Sequence, residues 1–111
     1  MGIQDWSDNI ILVNLAQEPD MSEELNTVAE LVLDRGNCDV TVDFSSVDIV
    51  TSSNIAKLLK LRKLLSDCKH RLILCGLKPQ TKNIFLVTGL EDVFEFVDDK
   101  FVALASLQMV N

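Results

Sequence analysis

The sequence predicts an α/β protein with a mixed, mostly parallel β-sheet of about 4–5 strands and about four helices mainly on one face. Three observations lead to this prediction. The 111 residues fit one domain, taken as residues 1–111. Apolar runs with strand composition alternate with segments of helical periodicity, and the chain contains neither an internal repeat nor a linker.

The first two elements are predicted to form a hairpin. Residues 3–6 form a short strand, residues 7–9 supply turn chemistry, and the β-branched apolar run 10–15 forms the second strand. Each later strand is separated from the one before it by a helix. This alternation favours parallel pairing in the rest of the sheet.

The first helix is predicted to begin at Asp20. Asp20 acts as the N-terminal cap, and Glu23 lies three residues later in capping-box position. Gly36 ends the helix, because glycine adopts the left-handed conformation that many helix ends need. One apolar stripe with helical spacing faces the core: Met21, Leu25, Val28, Ala29 and Val32.

The central part of the chain predicts a strand, a helix and a second strand. Residues 40–44 have the alternation of a strand, and the helix that follows runs from about Ser52 to Asp67. The buried side of this helix consists of Ile55, Leu58, Leu61, Leu65 and Cys68. Residues 71–75 form a short apolar run that ends at Gly76, as expected for a strand covered on both faces.

The last part of the chain predicts two further helices around one strand. Pro79 begins a short helix that ends at Gly89, residues 94–97 form the last strand, and Asp98 or Asp99 caps the final helix. The inward residues of the short helix are Ile84, Phe85 and Val87, and the final helix contains Phe101, Leu104, Ala105 and Leu107. We expect the principal helices to cover one face of the sheet and to leave the opposite side exposed.

Composition and charge exclude several classes of protein. Hydrophobic residues make up 48% and charged residues 24%, which is typical of a folded protein and argues against disorder. The net charge of -7 argues against nucleic-acid binding, because neutralising phosphates needs a basic face. We find no apolar run of about 20 residues and no signal pattern, so we expect a cytoplasmic protein without direct membrane insertion.

The charge is distributed unevenly along the chain. Residues 1–50 carry eleven acidic side chains against one basic side chain, Arg35, whereas residues 51–90 carry eight basic side chains against Asp67. Lys57, Lys60 and Lys63 belong to this basic part. These lysines form either a solvated helix face or a docking surface for an acidic partner. In the docking hypothesis, Lys57 and Lys60 bind the partner.

The sequence predicts neither catalysis nor a cofactor. Cys38, Cys68 and Cys75 are widely spaced in apolar surroundings, which indicates buried structural thiols rather than a disulfide framework or a metal site. His70 lies in a polar turn and is expected to be solvent-exposed. The four glycines have the spacing of turn and cap residues and not that of a phosphate-binding loop.

Four segments between residues 40 and 105 carry a more specific pattern. Residues 42–47 read VDFSSV, and residues 49–56 read IVTSSNIA. Residues 71–77 read RLILCGL, and residues 88–94 read TGLEDVF. Together these segments resemble the STAS family (sulphate transporter and anti-sigma factor antagonist domains), and the resemblance spans roughly two-thirds of the chain.

The resemblance implies a STAS-like fold and a partner-switching role. In bacterial members of the family, the second serine of the helix-start motif is phosphorylated by a serine kinase that is also an anti-sigma factor. The unmodified form binds that kinase and frees its sigma factor, and a PP2C-type phosphatase resets the switch. Carried over to this chain, the phosphate acceptor is Ser53, with Ser52 beside it. The residues at the start of this helix that are expected to bind the partner are Thr51, Ser52, Ser53 and Asn54.

Two positions depart from the family pattern. Thr51 stands where the family usually has Asp, and Asn54 stands where it usually has Gly. Thr51 can still cap the helix, whereas Asn54 is expected to add bulk beside Ser53 and so to narrow kinase access or select a partner. These departures keep a second interpretation open. The chain would then be a constitutive STAS subunit or scaffold of a larger assembly, such as a lipid-transport complex, and would not be phosphorylated.

Overall fold

The computed structural model describes residues 2–108 and shows the predicted alternation of strands and helices. The strands are β1 (Ile3–Ser7), β2 (Ile10–Asn14), β3 (Asp39–Asp43), β4 (Leu72–Cys75) and β5 (Glu95–Val97). The helices are α1 (Asp20–Arg35), α2 (Ser52–Asp67), α3 (Pro79–Val87) and α4 (Lys100–Gln108). The predicted α/β class, with a mixed sheet of five strands and four helices, is confirmed for these residues.

The strands lie in the sheet in the same order as in the chain, β1-β2-β3-β4-β5. β1 pairs antiparallel with β2, which confirms the predicted hairpin, and the pairs β2–β3, β3–β4 and β4–β5 are all parallel. The register of β1 shifts between Asp5 and Ser7. Such an irregularity increases the twist of an edge strand.

The strand order determines where α1, α2 and α3 lie. Each connects two neighbouring parallel strands, and each step moves across the sheet in the same direction. Because such crossovers are right-handed, all three helices pack on the same face. The core on this side joins strand residues to helix residues and includes Ile11, Val13, Val40, Val42, Leu72, Leu74, Met21, Leu25, Val28, Leu58, Leu61, Leu65 and Phe85.

The opposite face of the sheet is covered by α4, and this corrects the expectation of an exposed side. A second, smaller core contains Ile10, Leu12, Ile73, Ala103, Leu104 and Leu107. Helix α4 follows the last strand of the sheet, β5, and is not a crossover between two strands. The handedness rule that determines the side of the other three helices therefore does not apply to α4.

The start of α1 differs from the prediction. The N-terminal cap residue is Pro19, and Asp20 is already the first helical residue. Glu18 satisfies the free backbone of the first turn instead, because its carboxylate accepts hydrogen bonds from the Ser22 amide at 2.9 Å and from the Ser22 hydroxyl at 2.6 Å. The predicted end is confirmed, since Gly36 has a φ of 72° and donates to the Val32 carbonyl at 2.9 Å.

Two residues predicted to face the core, Val87 and Cys68, are exposed. Val87 is 71% exposed because it follows the buried Phe85 by two residues, which on a helix is about 200° away. On α4, for which no buried side was predicted, Phe101 is 67% exposed and Ala105 is also exposed. Cys68 is exposed because it is the C-terminal cap of α2, where the chain leaves the helix.

The other titratable residues singled out in the sequence have defined environments. Cys38 and Cys75 are buried as predicted, and burial raises the pKa of the Cys75 thiol to about 12. His70 was predicted to be solvent-exposed, but it is half-buried. Its Nδ1 lies 3.2 Å from Oδ1 of Asp39. The two buried cysteines therefore serve as small apolar core residues.

Two adjacent leucines on α2 test the assignment of its buried face. Leu58 is fully buried between α2 and the sheet, whereas Leu59 is 36% exposed. We expect Leu58→Ala to lower the free energy of unfolding by ~2–5 kcal/mol through the cavity it leaves. The matched control Leu59→Ala is expected to cost ~0.5 kcal/mol. Urea denaturation of both variants measures the difference, and equal losses would contradict the assigned face.

Candidate functional site at the start of helix α2

The loop between β3 and α2 is held rigidly at the end of the sheet. Oδ1 of Asp43 accepts hydrogen bonds from the Ser45 amide at 3.1 Å and the Ser45 hydroxyl at 2.6 Å, which closes a turn directly after β3. Gly76 approaches this turn with a φ of 68°, and a Cβ at that position would collide with Asp43 and Ser45. The side chains of Phe44 and Val47 are buried in the larger core and anchor the loop to it.

Thr51 and Asn54 cap α2 through reciprocal hydrogen bonds. Oγ1 of Thr51 accepts from the Asn54 amide at 3.3 Å, and Oδ1 of Asn54 accepts from the Thr51 amide at 2.9 Å. The Thr51 hydroxyl also donates to Oδ1 of Asn54 at 3.0 Å. This is a capping box in which Asn replaces the usual Glu or Gln.

The capping box separates the predicted site residues into two groups. Thr51 is the N-terminal cap of α2, Ser52 and Ser53 lie in its first turn, and all three are exposed. Asn54 is 0% exposed, which does not agree with the prediction that it contacts a partner directly or adds bulk at the surface. Its side chain is buried, and both the oxygen and the NH₂ group of its side-chain amide form hydrogen bonds.

The NH₂ end of the Asn54 amide reaches Glu18, an exposed residue that the sequence did not indicate. Nδ2 of Asn54 donates to Oε2 of Glu18 at 2.9 Å, and the same carboxylate caps α1 through Ser22. Hydrogen bonds from Ser22, followed by the one from Asn54, hold the pKa of the Glu18 carboxyl below its usual value. The positive charge of Lys57 acts in the same direction. One carboxylate thus joins the starts of two helices.

Lys57 and Lys60 lie along a groove between α1 and α2. The groove has a volume of about 320 Å³ and is also lined by Leu25, Asn26, Ala29, Glu30 and Leu33. Lys57 is half-buried and donates to Oδ1 of Asn26 at 3.2 Å, whereas Lys60 is exposed. Lys63 lies on the outer surface of α2, 3.5 Å from the Asp67 carboxylate. The basic residues of α2 therefore do not form one continuous face.

The surface beside Ser53 contains two further features that the sequence analysis missed. Ile49 is 70% exposed, although Val47 and Val50 on either side of it in the chain are buried. Asp48 forms an ion pair with Lys78, which ties the loop before α2 to the start of α3. Residues 47–50 contain three apolar side chains, and nothing in the sequence marks Ile49 as the exposed one.

The chemistry available at this site is that of a serine hydroxyl at a helix N-terminus. The first-turn N–H groups and the helix dipole favour a negative charge there. Within residues 2–108 we find no cluster of three or more histidine, cysteine or acidic side chains that could hold a metal ion. In the same part of the chain, no helix combines the length and the apolarity needed to cross a membrane.

Comparison with known proteins places the chain in a family. The sequence model of the STAS domain matches residues 8–102. The chain belongs to the STAS domain family. A similar protein is BtrV of Bordetella bronchiseptica, assigned as an anti-sigma factor antagonist. It is 25% identical over 87 residues, which cover 78% of this chain and 75% of BtrV.

Solved structures show the same STAS fold. A single-substitution variant of RsbS from Moorella thermoacetica superimposes with a TM-score of 0.77 at 15% identity, covering 99% of this chain and 98% of the RsbS variant. The anti-sigma factor antagonist SpoIIAA in its unphosphorylated form gives a TM-score of 0.75 at 13% identity, covering 98% of this chain and 97% of SpoIIAA. SpoIIAA of Bacillus in its phosphorylated form gives 0.72 at 15% identity, with 98% and 97% covered. The fold of this STAS domain is therefore that of structures solved in both phosphorylation states.

The capping box predicts a local effect on stability. We expect Asn54→Ala to lower the free energy of unfolding by ~1–2 kcal/mol. The substitution removes the buried side-chain amide of Asn54, and the backbone N–H of Thr51 then loses its acceptor. The exposed neighbour Ser52 provides the control, and Ser52→Ala is expected to cost less than ~0.5 kcal/mol. Thermal and urea unfolding compare the two variants. Indistinguishable stabilities would show that the capping box does not hold this helix start.

Proposed function

We propose that this STAS domain is an anti-sigma factor antagonist-like regulator that binds a serine kinase/anti-sigma factor and is switched by phosphorylation of Ser53. The observation that carries the proposal is the position of Ser53. It is exposed in the first turn of α2, within the segment whose sequence resembles the family's acceptor motif. The similarity to BtrV supports the same role.

The physics of the helix start explains how such a switch works. A phosphate on Ser53 adds roughly -1.5 to -2 charges at neutral pH, next to N–H donors and the positive end of the α2 dipole. The fold tolerates that charge. A partner that docks flush on the same turn does not, because it would have to remove water from the phosphate. Modification therefore abolishes one complex without unfolding the domain.

The capping box keeps the folded structure independent of Ser53. Thr51 and Asn54 form the hydrogen bonds that hold the start of α2. The hydroxyl of Ser53 is consequently available for modification, and its chemical state can change without loss of the cap. This independence is what a reversible switch requires, since a PP2C-type phosphatase must be able to restore the original state.

The surface around Ser53 supports protein binding and not catalysis as the function. Ile49 offers an exposed apolar side chain beside the turn, as an anchor for a protein partner. Lys57 and Lys60 add positive charge further along α2 and complement an acidic surface. We infer a cytoplasmic role in signal transduction, because the proposed kinase partner needs ATP.

Phosphorylation of Ser53 is tested by intact mass after incubation with candidate serine kinases and ATP. We expect an increase of one phosphate in the wild type and in Ser52→Ala, and none in Ser53→Ala. Ser52 is the matched control because it is exposed in the same helical turn. A chain that takes no phosphate from any candidate and co-purifies with a transporter ATPase would instead be a constitutive subunit of a larger assembly.

The role of the lysines is tested by charge reversal. We expect Lys57→Glu combined with Lys60→Glu to weaken kinase binding about tenfold or more, because like charges then meet at the interface. Lys63→Glu is the control, since Lys63 lies outside the groove that Lys57 and Lys60 line. Isothermal titration measures affinity, and circular dichroism checks that the fold is unchanged. Unaltered affinity in the double variant would remove these two lysines from the interface.

A further inference from the structure

We propose, on the basis of the function proposed above, that Glu18 is a positioning residue for the acceptor turn, defined as Thr51–Ser53. The carboxylate of Glu18 orients the Asn54 amide, and that amide in turn fixes the backbone of Thr51. The start of α1 and the site of phosphorylation are thereby parts of one hydrogen-bonded unit, although Glu18 and Asn54 are 36 residues apart in the chain.

The orientation of the Asn54 side-chain amide depends on an acceptor for its NH₂ group. An ionised carboxylate can only accept hydrogen bonds, so Glu18 selects the arrangement in which the NH₂ group of Asn54 faces it. The carbonyl oxygen of Asn54 then faces Thr51, where it accepts from both the amide and the hydroxyl. In the reversed orientation, two donors would face each other at Thr51 and two acceptors at Glu18.

The position of Glu18 is itself fixed. Its two carboxylate oxygens accept from the amide and the hydroxyl of Ser22, and Oε2 accepts the additional hydrogen bond from Asn54. The nearby positive charge of Lys57 favours the ionised form of the carboxyl and so lowers its pKa. An acceptor held by Ser22 in this way fixes the NH₂ end of the Asn54 amide.

The link has a consequence for the switch. A phosphate on Ser53 brings a second anion to the residue next to Asn54, where Glu18 already places a negative charge. Like charges repel, so we expect the phosphate to alter the hydrogen bond between Asn54 and Glu18 without removing the cap. This electrostatic coupling concerns equilibrium free energies, whereas the rate of phosphate uptake depends on how well Glu18 holds the turn through Asn54. The Ser22 amide donates a hydrogen bond to the same carboxylate, so its resonance reports the effect of the phosphate on Glu18.

The experiment compares Glu18→Gln with Glu23→Gln in the full chain. Both variants remove one negative charge near the start of α1, but Glu18 is the one bonded to Asn54. A glutamine at position 18 has one acceptor oxygen and an NH₂ donor, so it cannot accept all three hydrogen bonds. NMR hydrogen exchange of the Thr51 amide and the resonances of the Asn54 side-chain NH₂ group are the readouts.

We expect the Thr51 amide to exchange roughly fivefold faster in Glu18→Gln, as for partial loss of a hydrogen bond, and at the wild-type rate in Glu23→Gln. The Asn54 NH₂ resonances should shift in the first variant and stay in place in the second. Equal exchange rates at Thr51 in the two variants would overturn the positioning role. Introducing Ser53→Glu should shift the Ser22 amide resonance in the wild type and much less in Glu18→Gln, and equal shifts would also overturn it.

A phosphorylation assay separates this inference from the proposed function. With a kinase that modifies Ser53 in the wild type, we expect Glu18→Gln to take up phosphate about threefold more slowly than Glu23→Gln, at matched thermal midpoints. Unchanged rates together with unchanged Thr51 exchange overturn the positioning role alone. If the wild type takes no phosphate while Thr51 exchange responds only to the loss of Glu18, the proposed function fails and the positioning role stands.

Discussion

The hydrogen bonds between Thr51 and Asn54 are the interaction on which the rest of the site depends. They satisfy the first backbone groups of α2 and turn the Asn54 side chain inward, which leaves Ser52 and Ser53 on the surface. Without such a cap, the serines would have to supply the missing acceptors themselves. Because Thr51 and Asn54 cap the helix, the cap does not depend on the serines in its first turn.

Most of the fold could be predicted from the sequence because its signals are local. Apolar alternation and helical spacing located the strands and the helices, and the bounds of α2 agree with the prediction. The position of α4 could not be predicted in this way. Its apolar residues show that one side is buried, but not which face of the sheet covers them. Val87 was predicted to face inward with Ile84 and Phe85, and its exposure follows from its angular position on α3 relative to the buried Phe85.

The site was predictable only in part, and for a similar reason. The motif located Thr51, Ser52 and Ser53, whose position at a helix start is a local property. Asn54 departs from the family pattern and was expected at the surface. In the structure, the same departure builds the reciprocal cap, so Thr51 and Asn54 belong together as a pair. Glu18 carries no signal of its own, because its partner Asn54 is distant in sequence and is brought close only when α1 and α2 pack together.

The two sides of the sheet are buried to different extents. On one side, α1, α2 and α3 enclose the large core, whereas on the other side the short helix α4 rests on Ile10, Leu12 and Ile73. Elements with few buried apolar neighbours are the first to open in sub-global unfolding. Fraying of the native state therefore concentrates at the C-terminal helix, on the far side of the sheet from Ser53. The protein can lose order there while the start of α2 stays intact.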